Sequence, residues 1–221
     1  MKNIILIFCL AIIGFAASGC KNQGAPGTVN SFKRYAFKNA HIVLRHSGDT
    51  RGNEDIYIAD YGKYEARLTN IEMFRGEATL PRQMVDITRI ADLYNVNLQN
   101  HQVRHQHNPM LDSMYRLPEG DIPTPQQFTD YQMKEGYYKN EGPDTAAGFK
   151  ATRWFSPDNQ SKFWIWNTFA VKQIYPTQDG FIGITLESMD TNWVVDTNTF
   201  SLPTQGFERT EVKPGEPLQQ M

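Results

Sequence analysis

Cysteine is almost missing from this chain. Its 221 residues include two, Cys9 and Cys20, both near the start, so no pair can staple the body of the protein. A fold without disulfides must stand on its hydrophobic core, and a chain of this length can bury a sizeable one. An excess of one charge is missing too. The 22 basic and 24 acidic side chains form no long run of either sign, which excludes a nucleic-acid footprint and a polybasic membrane patch. No Gly-x-Ser-x-Gly elbow, glycine-rich phosphate loop or His-Glu-x-x-His motif occurs, so neither an enzyme class nor a cofactor is indicated. Long apolar runs are confined to the first twenty residues.

Those twenty residues carry a pattern of their own. Lys2 supplies a positive start, Ile4 to Ala17 form an apolar run too short for a typical membrane span, and Ala17-Ser18-Gly19-Cys20 ends it with small residues before a cysteine. This resembles a bacterial lipoprotein signal peptide, although Ala17 stands where a larger aliphatic residue is usual. The resemblance implies removal of residues 1–19 and acylation of Cys20 with palmitate-like chains. Its expected partners are the membrane, through those chains, and the lipoprotein processing and sorting machinery. Because Lys21 rather than an aspartate follows the cysteine, it also implies the outer membrane of a bacterial envelope, facing the periplasm. Each buried methylene contributes roughly 0.8 kcal/mol, so two or three long chains hold a protein in place. Residues 20–31 read as the lipidated cysteine and a flexible tether, with an average span of roughly 18 Å.

From residue 32 to 209 the pattern predicts a single β-rich domain, with a flexible tail over 210–221. Short strands are expected at 40–46, 54–60, 63–69, 83–90, 93–99, 149–156, 162–167, 169–174, 181–190 and 193–197. Asp60-Tyr61-Gly62 reads as a turn in which Gly62 takes a positive φ. Thr124-Pro125-Gln126-Gln127 combines an N-cap, proline at the first helical position and a capping-box glutamine. A shorter helical piece is expected around Met110, Leu111 and Met114.

Alternation along residues 63–68 separates Tyr64, Ala66 and Leu68 from Lys63, Glu65 and Arg67. The first set is expected to face a concavity and the second to face water. A sheet of eight to ten strands at about 4.8 Å spacing is roughly 40 Å wide, whereas one helix is about 10–12 Å across. The sheet must therefore curl, gain a second layer or keep a concave apolar face partly uncovered. Phe163 and Ile165 alternate with Trp164 and Trp166, so neither face of that strand suits water. Alternation thus nominates Tyr64, Leu68, Trp164, Trp166, Ile182 and Ile184 as lining a ligand cavity.

Other candidates have plainer readings. His101, His105 and His107 could supply two metal ligands from one face, but no third or fourth is apparent, and a solvated strand end or turn fits the Asn, Gln and Arg around them. Glu54-Asp55 and the pair Glu187 and Asp190 read as solvated carboxylates rather than an acid-base pair. The tryptophans 154, 164, 166 and 193 suit core packing first and a lipid or glycan site second.

Several short motifs taken together carry a family likeness. The hairpin from Asp55 to Leu68, Asp86-Ile-Thr-Arg-Ile-Ala-Asp-Leu-Tyr-Asn-Val-Asn-Leu98, Phe163-Trp-Ile-Trp-Asn167 and Phe200-Ser-Leu-Pro203 resemble a bacterial lipoprotein domain family of uncharacterised function. That family is similar to the LolA/LolB and LppX-like lipid-handling lipoproteins. The resemblance implies a mainly β (α+β) fold, a curved antiparallel sheet or incomplete half-barrel with one or two helices over its concave face. It further implies a non-enzymatic, anchored protein that binds, holds or transfers a lipid or a lipoprotein acyl chain. The alternative is a structural or protein-interaction lipoprotein with a filled core and no ligand, and a metal-dependent or hydrolytic enzyme is the third class.

Overall fold

The computed structural model of the chain describes residues 31–203, 205–216 and 218. The expected signal peptide, Cys20 and the tether up to residue 30 lie outside the described residues. Among the described residues, twelve strands form one sheet. In chain order β1 is Ala40–Gly48, β2 Thr50–Ala59, β3 Tyr64–Arg75, β4 Ala78–Arg89, β5 Asp92–Asn97 and β6 Gln102–His107. Two helices follow, α1 Pro109–Met114 and α2 Pro125–Glu135. Then come β7 Lys139–Ala146, β8 Phe149–Phe155, β9 Lys162–Trp166, β10 Phe169–Pro176, β11 Phe181–Asp190 and β12 Glu208–Glu211.

The spatial order is β12-β6-β5-β4-β3-β2-β1-β11-β10-β9-β8-β7. Two antiparallel meanders, β1–β6 and β7–β11, join where β11 pairs with β1. β12 adds to β6 in parallel. The link from β6 to β7 must travel from one side of the sheet to the other, and α1 and α2 lie in that link. The result is a curved, open, mainly β sheet with helices across its concave face, as expected from the resemblance.

Local chemistry explains the punctuation. Gly62 ends the β2–β3 turn at φ +90°, and a Cβ there would sit 2.7 Å from the Tyr35 ring, so neither the conformation nor the space admits a side chain. Asn108 caps α1 by accepting from the amides of Met110 and Leu111 at 3.0 and 3.1 Å. Thr124 and Gln127 form the reciprocal capping box at the start of α2.

Register separates the two faces. One row across β2–β6 is Ile58, Glu65, Thr88, Leu93 and Gln106, and the next is Ile56, Arg67, Asp86, Asn95 and Arg104. Leu93 packs with Leu111, Tyr115 and Phe128 of the helical link, which makes this the concave face. The opposite row is Tyr57, Ala66, Ile87 and Tyr94. Trp193, Val195, Phe200 and Leu202 cover it from the convex side.

The sequence reading misses β6, β7 and β12. The expected strand over 193–197 is irregular chain leading into a 3-10 turn at Thr197–Phe200, because its aromatic and valine side chains serve as a patch on the sheet rather than as a rung of it. Thr210 and Glu211, placed in the tail by composition, complete β12, and Val212 after them is buried.

Candidate functional site

The concave face has an aromatic half and an ionic half, with a buried aliphatic core of Ile42, Leu44, Ile56, Ile58 and Leu186 beside them. In the aromatic half Trp154, Phe163 and Tyr175 are buried, with Met133 of α2, Tyr138, Ile165, Ala170, Ile182 and Ile184 packed against them. The rings meet edge to face, Phe163 with Tyr175 at 5.4 Å and with Tyr138 at 4.9 Å. Ile165, Ile182, Ile184, Met133 and Tyr138 are only half-buried. This apolar bed is therefore lidded by one helix and still partly open.

The ionic half is organised around two buried carboxylates from neighbouring strands. Glu54 is 4% exposed and Glu65 7%. Glu54 lies 2.7 Å from the Arg67 guanidinium and 3.1 Å from His46 Nε2. Glu65 Oε2 is 3.1 Å from Arg34 and accepts from the Tyr35 hydroxyl at 2.8 Å, and its other oxygen is 3.5 Å from Arg67. Burial alone would raise the pKa of both glutamates. Arg67 and His46 act against it at Glu54, and Arg34, Arg67 and Tyr35 at Glu65, so each is held below the usual carboxylate range. Asp86 differs: burial raises its pKa, and a 2.5 Å hydrogen bond from Asn95 offsets only part of that.

Two tyrosines show how closely the interior is drawn together. Burial raises the Tyr175 phenol, and Arg67 and Glu54 also act on it, although β10 and β3 are four places apart in the sheet. The sheet must curl to bring them near. Tyr115, at the end of α1, buries its hydroxyl with no hydrogen-bond partner among the described residues. Burial, opposed in part by Arg34, pushes that phenol up to about 12.

The six nominated cavity residues fall in three places. Ile182 and Ile184 lie in the concave bed. Trp164 and Trp166 belong to the neighbouring core with Phe149 and Ala151, where the Trp164 indole donates to Asp144 at 2.8 Å. Tyr64 and Leu68 are on the convex face, each 38% exposed, so the inward set expected for residues 63–68 is reversed. Glu65 and Arg67, expected in water, point inward because Arg34, Tyr35 and Glu54 satisfy their charges. Glu54, read as solvated, is buried for the same reason. Tyr64 instead borders a convex-side groove of about 580 Å³ that runs past Ala59, Arg89, Val195 and Phe200.

The histidines line up with carboxylates. His105 lies between Asp92 at 3.1 Å and Glu211 at 2.7 Å, and His107 is 3.1 Å from Asp92. His101 packs near the Phe207 ring. Among the described residues no group of three or more His, Cys, Asp or Glu is arranged to hold a metal ion, and no helix is long and apolar enough to cross a membrane. Arg34 and Tyr35 are the functional neighbours that sequence reasoning missed; they precede the first strand and no local pattern links them to β3.

No family model and no curated protein matches the sequence. Similar solved structures include the following three. An uncharacterized conserved protein from Thermus thermophilus is 7% identical, covering 80% of this chain and 90% of that one, with a TM-score of 0.46. MucB is 9% identical over 76% of this chain and 58% of that one, with a TM-score of 0.40. LprF from Mycobacterium bovis is 12% identical over 72% and 88%, with a TM-score of 0.32. All three scores lie below 0.5.

Proposed function

We propose that the protein is a non-enzymatic lipoprotein of the bacterial envelope that holds a lipid or acyl chain in the aromatic half of its concave face. The observation that carries this reading is the half-open apolar bed of Ile165, Ile182 and Ile184 over Phe163 and Tyr175, lidded by Met133 of an 11-residue helix. An apolar bed of this kind, with polar groups at one end, suits a ligand with a long apolar body. Lifting α2 would widen it without breaking any rung of the sheet. Glu54 and Glu65, held ionised by arginines, have no proton to give near neutral pH and so do not serve as general acids. The N-terminal pattern ending at Cys20 would anchor the protein to the outer membrane, facing the periplasm.

Titration with a fluorescent long-chain fatty acid tests the proposal. Saturable binding is expected, weakened at least tenfold in Ile184→Lys, which sets a charge in the bed. Absence of uptake, or uptake indifferent to Ile184→Lys in a folded variant, contradicts it. The ionic half favours a second reading. Its charges fill the space beside the bed, as they would in a structural or protein-interaction lipoprotein with a closed core. Cross-linking in cells that returns one stable protein partner, with no bound lipid, selects that alternative.

A further inference from the structure

We infer that the convex-side groove beside Tyr64 is a separate binding site for a small amphipathic anion. Its volume of about 580 Å³ is within the range of small-molecule pockets, about 300–1,000 Å³. Its apolar wall is built from both ends of the fold. Tyr64 comes from β3, and the Phe200 ring, 6.0 Å away, from the segment that crosses the convex face. The fold keeps the groove in shape: the Arg89 guanidinium donates to the Phe200 carbonyl and so ties the 3-10 turn to β4.

Charge selects the class of ligand. Lys38 and Arg89 line the groove, and neither side chain is paired with a carboxylate among the described residues. The carboxylate in the lining, Asp60, is already neutralised by Lys63 at 2.9 Å. Two cations beside a neutralised acid and an aromatic wall match a ligand with an anionic head and an apolar body. The rim is also conformationally unusual. Asp60 and Tyr61, directly before Gly62, both have positive φ, 48° and 58°, and non-glycine residues held in the left-handed region are a form of stored strain found beside ligand clamps. Tyr61 is held there by backbone hydrogen bonds to Lys38, Arg34 and Tyr35.

This site is on the opposite face of the sheet from the acyl bed, and measuring it in the Ile184→Lys variant, whose bed is blocked, keeps its fate independent of the proposal above. The probe is 8-anilinonaphthalene-1-sulfonate, with dodecanoate, dodecyl phosphate and inorganic phosphate as competitors. One probe molecule per chain is expected to bind saturably in that variant. Both dodecyl anions should displace it, and inorganic phosphate should not at the same concentration. The exposed positions Lys38 and Ser201 allow charge changes without disturbing the core. Lys38→Glu and Ser201→Asp are each expected to weaken the probe about tenfold while leaving thermal stability unchanged. Affinity unchanged in both variants, displacement by inorganic phosphate as effective as by dodecyl phosphate, or no saturable binding would overturn the inference.

Discussion

Glu65 decides which side of β3 faces inward. Alternation from residue 63 to 68 fixes the parity of that strand but not its direction, and hydrophobicity alone turns Tyr64 and Leu68 inward. Arg34 and Tyr35 reverse the choice, because a buried carboxylate is tolerated once its charge is matched. Glu65→Gln removes that match and leaves Arg34 without its counter-charge, a loss of about 3 kcal/mol for breaking a buried pair. In a domain of this size that lowers the melting temperature by roughly 8 °C, which a thermal melt at pH 7 measures. Both buried glutamates have lowered pKa values, so their contribution is complete above the unfolded value near 4.5 and is lost as pH falls through the native values. Acid melts of the Glu65→Gln variant should therefore fall less steeply below pH 4.5 than those of the parent. Asp86 has the opposite sign. Its native pKa lies above the unfolded 3.8, so ionisation costs stability at neutral pH and the cost vanishes below about 3.8. Asp86→Asn, which still accepts from Asn95, should melt higher than the parent at pH 7 and equal to it near pH 3. An equal or lower melting point at pH 7 would contradict this account of the ionic half.

Elements differ in how openly their sequences declare them. The turn at Gly62, the proline and capping box of α2 and the tandem hairpins β1–β5 are legible because local rules and tertiary context agree there. β7 is not, since Lys139–Ala146 contains Gly142 and Pro143 and no apolar alternation; it forms because it is an edge strand with a partner on one side. β6 hides among histidines and glutamines for a related reason. Gln106, half of an apparently wet motif, is buried because its amide donates to the carbonyls of Lys213 and Glu216, more than a hundred residues away. The helical cover is the element on which ligand entry would depend under the proposed function. Phe128 of α2 packs edge-on to Phe32 at 4.9 Å, and Phe32 in turn meets Tyr115 at 5.1 Å. Phe128→Ala should cost about 3–5 kcal/mol and speed amide exchange across residues 109–135 more than in β1–β5, as expected for a cover that opens locally. Uniform loss of protection through sheet and helices alike would show that the cover is not a separate unit.

For the molecule as a whole, a single sheet of twelve strands at about 4.8 Å spacing has an arc of roughly 58 Å, and two short helices cannot fill its concavity. Curling, ionic filling and an aromatic bed share that task. The sequence supports the curved sheet, because the width of eight or more strands against one helix demands it. It could not show the division of the interior, which depends on side chains brought to one concave face from strands far apart in the sequence. The two apolar surfaces that result, one concave and one convex, are also indistinguishable by alternation, which nominates Tyr64 and Ile184 alike. Native mass spectrometry of the protein purified without detergent tests the central claim most directly. A population heavier than the bare chain by the mass of one lipid or acyl chain, lost in Ile184→Lys, is the predicted result; the bare mass alone, together with no uptake of added fatty acid, would contradict it.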